Sequence, residues 1–145
     1  MTSAEQYEPS PTEWVRKQVD QIVSSGTTEG VHVMGRPVVL MTMRGAKSGK
    51  LRKVPVMRVE HGGVYAVVAS RGGAPVHPSW YFNLKSSERI ELQDGVDTHT
   101  YAVRELDGEE REQWWGRAVA AYPPYADYQT KTDRRIPVLL LEPAT

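Results

Sequence analysis

Val54-Pro55-Val56-Met57-Arg58-Val59-Glu60-His61-Gly62-Gly63-Val64-Tyr65-Ala66-Val67-Val68-Ala69-Ser70 decides the fold class. Two apolar, β-branched runs, 54–60 and 64–70, flank His61-Gly62-Gly63. A glycine pair between such runs marks a hairpin, because Gly takes the positive φ of a tight turn without a Cβ clash. Toward the N-terminus, residues 37–43 are apolar on both faces and predict a buried strand. Toward the C-terminus, residues 89–94 and 98–106 predict a second hairpin around Gly95, and 136–141 a last strand. Strands at hairpin spacing do not alternate with helices as βαβ units do. The expected architecture is therefore mainly β: an antiparallel barrel or strongly curled sheet with helices packed outside. Pro55 and Pro137 predict bulges or edges, since proline cannot donate to a ladder.

An N-terminal helix and one or two further helices are expected outside this barrel, two of them readable from capping and periodicity. Ser10-Pro11-Thr12-Glu13 reads as a helix start, with Ser10 as N-cap, Pro11 in the first turn and Glu13 closing a capping box. Trp14, Val15, Val19, Ile22 and Val23 form its apolar stripe, and Gly26 stops it. Residues 107–122 predict a second helix, capped by Asp107 and Glu110, with Trp114, Trp115, Ala118 and Val119 inward. Residues 1–9 read as a flexible tail and 10–145 as a single domain, a length that suits one core.

Composition narrows the chemistry. Cysteine is absent, which excludes disulfides, Cys-ligated zinc, iron–sulfur clusters and a thiolate nucleophile. Lys plus Arg and Asp plus Glu both number 18, so net charge points to neither an acidic nor a basic partner. The N-terminus has no signal-peptide core and no apolar run is long enough to span a bilayer, so a cytoplasmic protein is expected. His32, His61, His77 and His99 lack metal-ligand spacing, and neither a Gly-x-Ser-x-Gly elbow nor a paired-carboxylate site is visible.

Four segments carry potential chemistry. Residues 44–53 hold five cations (Arg44, Lys47, Lys50, Arg52, Lys53) and no acid around two glycines. That pattern suits an anion receptor and equally a solvated hairpin tip. Ser70-Arg71-Gly72-Gly73 follows a strand and permits close backbone approach to a flat or phosphorylated ligand. His77-Pro78-Ser79-Trp80-Tyr81-Phe82-Asn83-Leu84 combines aromatics with an amide. Tyr122, Tyr125 and Tyr128, at steps of three, would share one face of a helical turn, either as a phenol wall or as simple packing. Anion binding, stacking and hydrogen bonding are all present without a catalytic engine, which points to a cofactor doing the difficult step.

Taken in order, five motifs resemble the deazaflavin (coenzyme F420)-dependent nitroreductase family of actinobacteria. They are Gly45-x-Lys47-Ser48-Gly49-x-x-Arg52-x-x-Pro55; Ala69-Ser70-Arg71-Gly72-Gly73; Pro78-x-Trp80-Tyr81-x-Asn83-Leu84-Lys85; Tyr122-Pro123-x-Tyr125-x-x-Tyr128-Gln129; and Asp133-Arg134-x-Ile136-Pro137. The resemblance implies a split β-barrel related to barrels that bind flavin mononucleotide, and reduced F420 as cofactor. It implies that Lys47, Ser48, Arg52 and Arg71 hold the phosphate and oligoglutamate tail. Pro55, Val56, Met57, Val68, Ala69 and Ser70 would line the deazaflavin ring, with Trp80, Tyr81 and Asn83 in support. Tyr122, Tyr125 and Tyr128 would face the substrate, Tyr125 also touching the cofactor, and Ser70 or a tyrosine would serve the reaction. The implied activity is hydride transfer to quinones, nitroaromatics or activated double bonds such as those of coumarin-type lactones. A homodimer is in keeping with related barrels, and no nucleic-acid partner is implied.

Two positions depart from the family pattern. Met57 stands where nitro-reducing members carry an aromatic hydroxyl, which argues against bulky nitroimidazoles. Ala46 stands where a basic residue is common, leaving one tail contact fewer. The competing readings are a flavin-mononucleotide enzyme on the same barrel and a non-catalytic ligand- or nucleic-acid-binding barrel.

Overall fold

Arg58 and Val59 split the expected 54–60 strand in two. In the computed structural model, which describes residues 7–144, the Arg58 N–H donates to the Pro37 carbonyl (3.1 Å), whereas the Val59 carbonyl accepts from Ala66 N–H (2.9 Å). The chain thus leaves one edge of the sheet and joins the other within two residues. Before the switch, β3 (Leu51–Met57) pairs with β2 (Arg36–Arg44) from Val38↔Met57 to Arg44↔Leu51. After it, β4 (Glu60–His61) pairs with β5 (Val64–Val68), so only the end of the expected hairpin forms. The long apolar β2 offers β3 a seven-residue partner that β5 does not, and Pro55 tolerates the outer side of that pair because it has no N–H to leave unpaired.

The remaining strands are β1 (His32–Val33), β6 (Arg89–Asp94), β7 (Asp97–Glu105) and β8 (Val138–Pro143). They give an antiparallel sheet of order β1-β2-β6-β7-β8-β5-β4, with β3 also on β2. β3 and β5 share no ladder, and the opening between them is the split of the expected barrel.

Alternation along β2, β5 and β8 sends their apolar side chains to two different cores. Val39, Met41, Val67, Leu92, Leu139 and Leu141 point into the barrel, where Leu84 of α2 (Ser79–Lys85) joins them. Val38 and Leu40 point outward beneath Val19 and Ile22 of α1 (Glu13–Ser25). Ala66, Val138 and Leu140 are covered by Trp114 and Ala118 of α3 (Gly108–Ala121) and Tyr125 of α4 (Pro124–Thr130). The second apolar face of β2, β5 and β8 is a docking face for a helix.

Helix ends depart from expectation in instructive ways. α1 starts at Glu13 with Thr12 as N-cap; the Ser10 hydroxyl accepts the Thr12 N–H (3.1 Å), and Glu13 pairs with Lys17 (2.9 Å) rather than closing a box. Trp14 and Val23 are 54% and 59% exposed, off the stripe that buries Val19 and Ile22. Gly26 stops the helix in the left-handed conformation, as expected. Asp107 caps α3 by position, but Glu110 turns outward to grip Arg104 (2.7 and 2.6 Å). The expected tail lies largely outside the described residues; Tyr7 bridges Leu51 in parallel, and Glu8 N–H donates to the Leu51 carbonyl (2.8 Å). Among the described residues no helix is long and apolar enough to cross a membrane.

Candidate active site at the barrel split

Two hollows meet at the split. The first, of about 530 Å³, runs between β3 and the end of β5 and is walled by Pro55, Val56, Met57 and Val68, with Trp80 and the three tyrosines closing it. The second, of about 680 Å³, lies along the basic turn between β2 and β3 and carries Lys47, Ser48 and Arg52. Thr12, Arg71 and Pro78 line both, so the slot and the trough are one cleft.

The bend after β5 sets the junction. Ser70, 8% exposed, precedes a 3-10 turn over Arg71–Gly73, in which Arg71 takes a positive φ of 45°. A non-glycine residue there carries strain of about 1–3 kcal/mol, and it persists only where neighbours impose it. Arg134 imposes it. Its guanidinium donates to the carbonyls of Ala69 (3.1 Å), Ser70 (2.7 Å) and Ala74 (2.8 Å) and to His77 Nδ1 (2.9 Å). The Arg71 side chain is thereby held where it faces both hollows. Arg134 was legible only as part of a motif, with no role attached, and His77 only as a lone histidine. Burial and then the Arg134 charge hold the His77 pKa below its usual value, and because a guanidinium only donates, the Nδ1 facing Arg134 is the acceptor.

The basic turn is shaped by backbone bonds between Gly45 and Lys50 (2.8 Å) and Gly49 and Gly45 (2.9 Å). Asn83 Oδ1 accepts the Ala46 N–H (2.8 Å), which ties the turn to α2. Asn83 and Ala46 therefore brace the trough with the polar groups they share. Ser48 Oγ donates to Glu8 Oε1 (3.3 Å), and Arg52 lies 3.6 Å from the same oxygen. Glu8 is a trough residue that sequence reasoning assigned to a tail.

The tyrosines form a packed wall. Pro123 and Pro124 turn α3 into α4, which places Tyr125 and Tyr128 one turn apart and Tyr122 against both, with ring centroids 5.0 Å (122–125) and 6.0 Å (122–128) apart. The Tyr122 and Tyr128 hydroxyls are 2.9 Å apart. Tyr122 and Tyr125 are buried, whereas Tyr128 is half-buried. Two predicted site residues are not brought to the cleft surface. Ala69 is fully buried in the barrel, and the Tyr81 hydroxyl turns away to Glu105 (2.7 Å). Ala69 points inward by strand alternation, and α2 rotates Tyr81 away from Trp80.

Burial and then the Tyr128 hydroxyl push the Tyr122 pKa up to about 12, and burial and then Glu105 push Tyr81 up to about 12 as well. Burial raises Tyr125 still further. Each therefore stays a neutral donor at ordinary pH. The unfolded chain ionises its tyrosines near about pH 10. The stability they contribute is full below that value and is lost as pH rises through the folded values. Thermal unfolding midpoints should fall between about pH 10 and the folded pKa of about 12, with a smaller fall in Tyr122→Phe. An equally steep fall in the variant would show that Tyr122 does not contribute.

An apolar slot for a flat ring, joined through Arg71 to a cationic trough for an anionic tail, fits a deazaflavin cofactor by the chemistry of its lining. Together with the split barrel it defines an oxidoreductase of the cofactor-borrowing kind. The chain belongs to the F420H(2)-dependent quinone reductase family, whose model matches residues 14–143. An F420H(2)-dependent quinone reductase of Mycobacterium tuberculosis is 31% identical over 108 residues, 72% of each chain. Among solved structures, an F420-H2 dependent reductase designated FDR-A is 62% identical over 78% of this chain and all of its own, with a TM-score of 0.70. A chain described as a domain-swapped dimer is 61% identical over 92% of this chain and all of its own, with a TM-score of 0.72. HutZ, a heme storage protein of Vibrio cholerae, shares the fold alone, at 12% identity and a TM-score of 0.56. Family membership bears out the deazaflavin resemblance and places quinones in the family description.

Proposed function

We propose that this protein reduces quinones, and more broadly compact electrophiles such as activated lactones, with a hydride drawn from reduced F420 in the cleft. The continuity of slot and trough through Arg71 carries this reading. Bound reduced F420 would supply the hydride. Lys47, Ser48, Arg52 and Arg71 would hold its anionic tail, and Pro55, Val56, Met57, Val68 and Trp80 would enclose the ring and exclude water. Excluding water strengthens every hydrogen bond made inside the slot. Ser70 and the Tyr122–Tyr128 hydroxyl pair line the slot, where they would stabilise negative charge developing on a quinone oxygen, and the pair would provide a donor for the proton that follows. Met57 gives the slot an apolar wall with no hydroxyl to orient a nitro group, so quinones are favoured over nitroimidazoles.

Residues 10–145 act as one domain in this reading, in the cytoplasm, and the domain-swapped relative supports a homodimer in solution. Anaerobic mixing of protein, reduced F420 and a short naphthoquinone tests the activity. Catalysed F420 oxidation with matching quinol formation is expected, at a rate at least about tenfold above a nitroimidazole control, the size of effect one mispaired polar group has in a slot. Oxidation no faster than in buffer would overturn the proposal.

A further inference from the structure

We propose that Glu8 is an internal stand-in for a tail carboxylate of the cofactor, so that it tunes how strongly the trough selects glutamylated F420; this rests on the function proposed above. The Glu8 carboxylate occupies the trough beside the groups assigned to the tail. Its Oε1 accepts from Ser48 Oγ at 3.3 Å and sits 3.6 Å from Arg52 Nη1. An oligoglutamate tail presents the same chemical group, a carboxylate, to the same two partners. Ser48 and Arg52 thus already act as a carboxylate receptor, and their occupant is the protein's own chain.

Geometry makes this occupant exchangeable. Among the described residues, Glu8 is anchored by a backbone bond to Leu51 (2.8 Å) and by the bridge of Tyr7 to the same residue. Its side chain is 42% exposed, and neither contact has the short distance of a tight charge-assisted bond. An exposed pair of this kind is weak and screened by salt. A tail carrying several carboxylates can displace it, after which the Glu8 charge, still tethered nearby, opposes those that arrive. Neutralising Glu8 removes both the competition and the repulsion. A ligand that never enters the trough gains nothing.

The test is titration of oxidised F420 carrying several glutamates, and of the ring-plus-ribityl fragment lacking phosphate and glutamates, into the protein and its Glu8→Gln variant. The isosteric amide keeps the backbone bond and can still accept from Ser48. We expect Glu8→Gln to bind F420 about three- to tenfold more tightly at low salt, a gain that shrinks as salt screens exposed charge. Affinity for the fragment should not change. Equal F420 affinity in both proteins, or an equal gain for the fragment, overturns this inference alone. No F420 binding to either protein overturns the proposed function with it.

Discussion

Gly73→Ala should cost about 2–4 kcal/mol of stability and at least about tenfold in turnover, although it adds one methyl group outside the cleft. A Cβ at this position would meet the Tyr128 carbonyl at 2.7 Å and the Lys131 Cβ at 3.0 Å, on a backbone with φ of +84°. The first obstacle is backbone, so a rotamer change does not relieve it. Either α4 retreats, taking Tyr125 and Tyr128 with it, or the 3-10 turn shifts and unseats Arg71 from the junction of slot and trough. Both movements spoil the site as they destabilise the fold. Gly72→Ala, at a residue that lines the slot, is the control for stability alone: φ is +63° but nothing in the protein lies within 4 Å, so only the left-handed penalty of about 1–2 kcal/mol applies to the fold. Urea denaturation of both variants, with kcat/KM of Gly73→Ala, provides the test. Equal losses in both would show that the contact with α4 is not what matters.

The second large effect is expected from the double substitution Lys47→Ala with Arg52→Ala. A hydrogen bond to a charged partner contributes roughly 1.5–3 kcal/mol when well sheltered, less where water competes. The Arg52 side chain is 23% exposed, and Lys47 is open to solvent. Losing both should weaken F420 binding about 10–100-fold at low salt and flatten its salt dependence, since fewer charges remain to be screened. Thermal stability should barely move, because the partner lost from the fold is an exposed pair with Glu8. A large drop in melting temperature with unchanged F420 affinity would reassign these cations to a structural role.

How much of this was legible beforehand follows the range of the interactions concerned. Continuous apolar runs in 64–70 and 136–141 identified the barrel strands, because burial on both faces is written locally as an unbroken hydrophobic stretch. The switch at Arg58–Val59 was not legible, since it depends on β2 competing with β5 for the same segment. Helix α2 escaped notice because seven residues carry too little periodicity, and Pro78 reads as a turn as readily as a helix start. Cations, glycines and tyrosines of the site were visible as residue types in a fixed order. Their braces were not: Arg134 acts on residues 57 to 65 positions away, and Glu8 reaches Ser48 across 40. Tyr81 shows the same limit from the other side, sharing a motif with Trp80 while its hydroxyl serves Glu105.

The measurement that tests the central claim most directly is a pair of binding titrations, oxidised F420 and flavin mononucleotide, against the same protein at low salt. The account predicts micromolar or tighter binding of F420, weakened by salt, and much weaker binding of flavin mononucleotide, whose short phosphate cannot run along the trough. Preferential binding of flavin mononucleotide, or binding of neither, would contradict it.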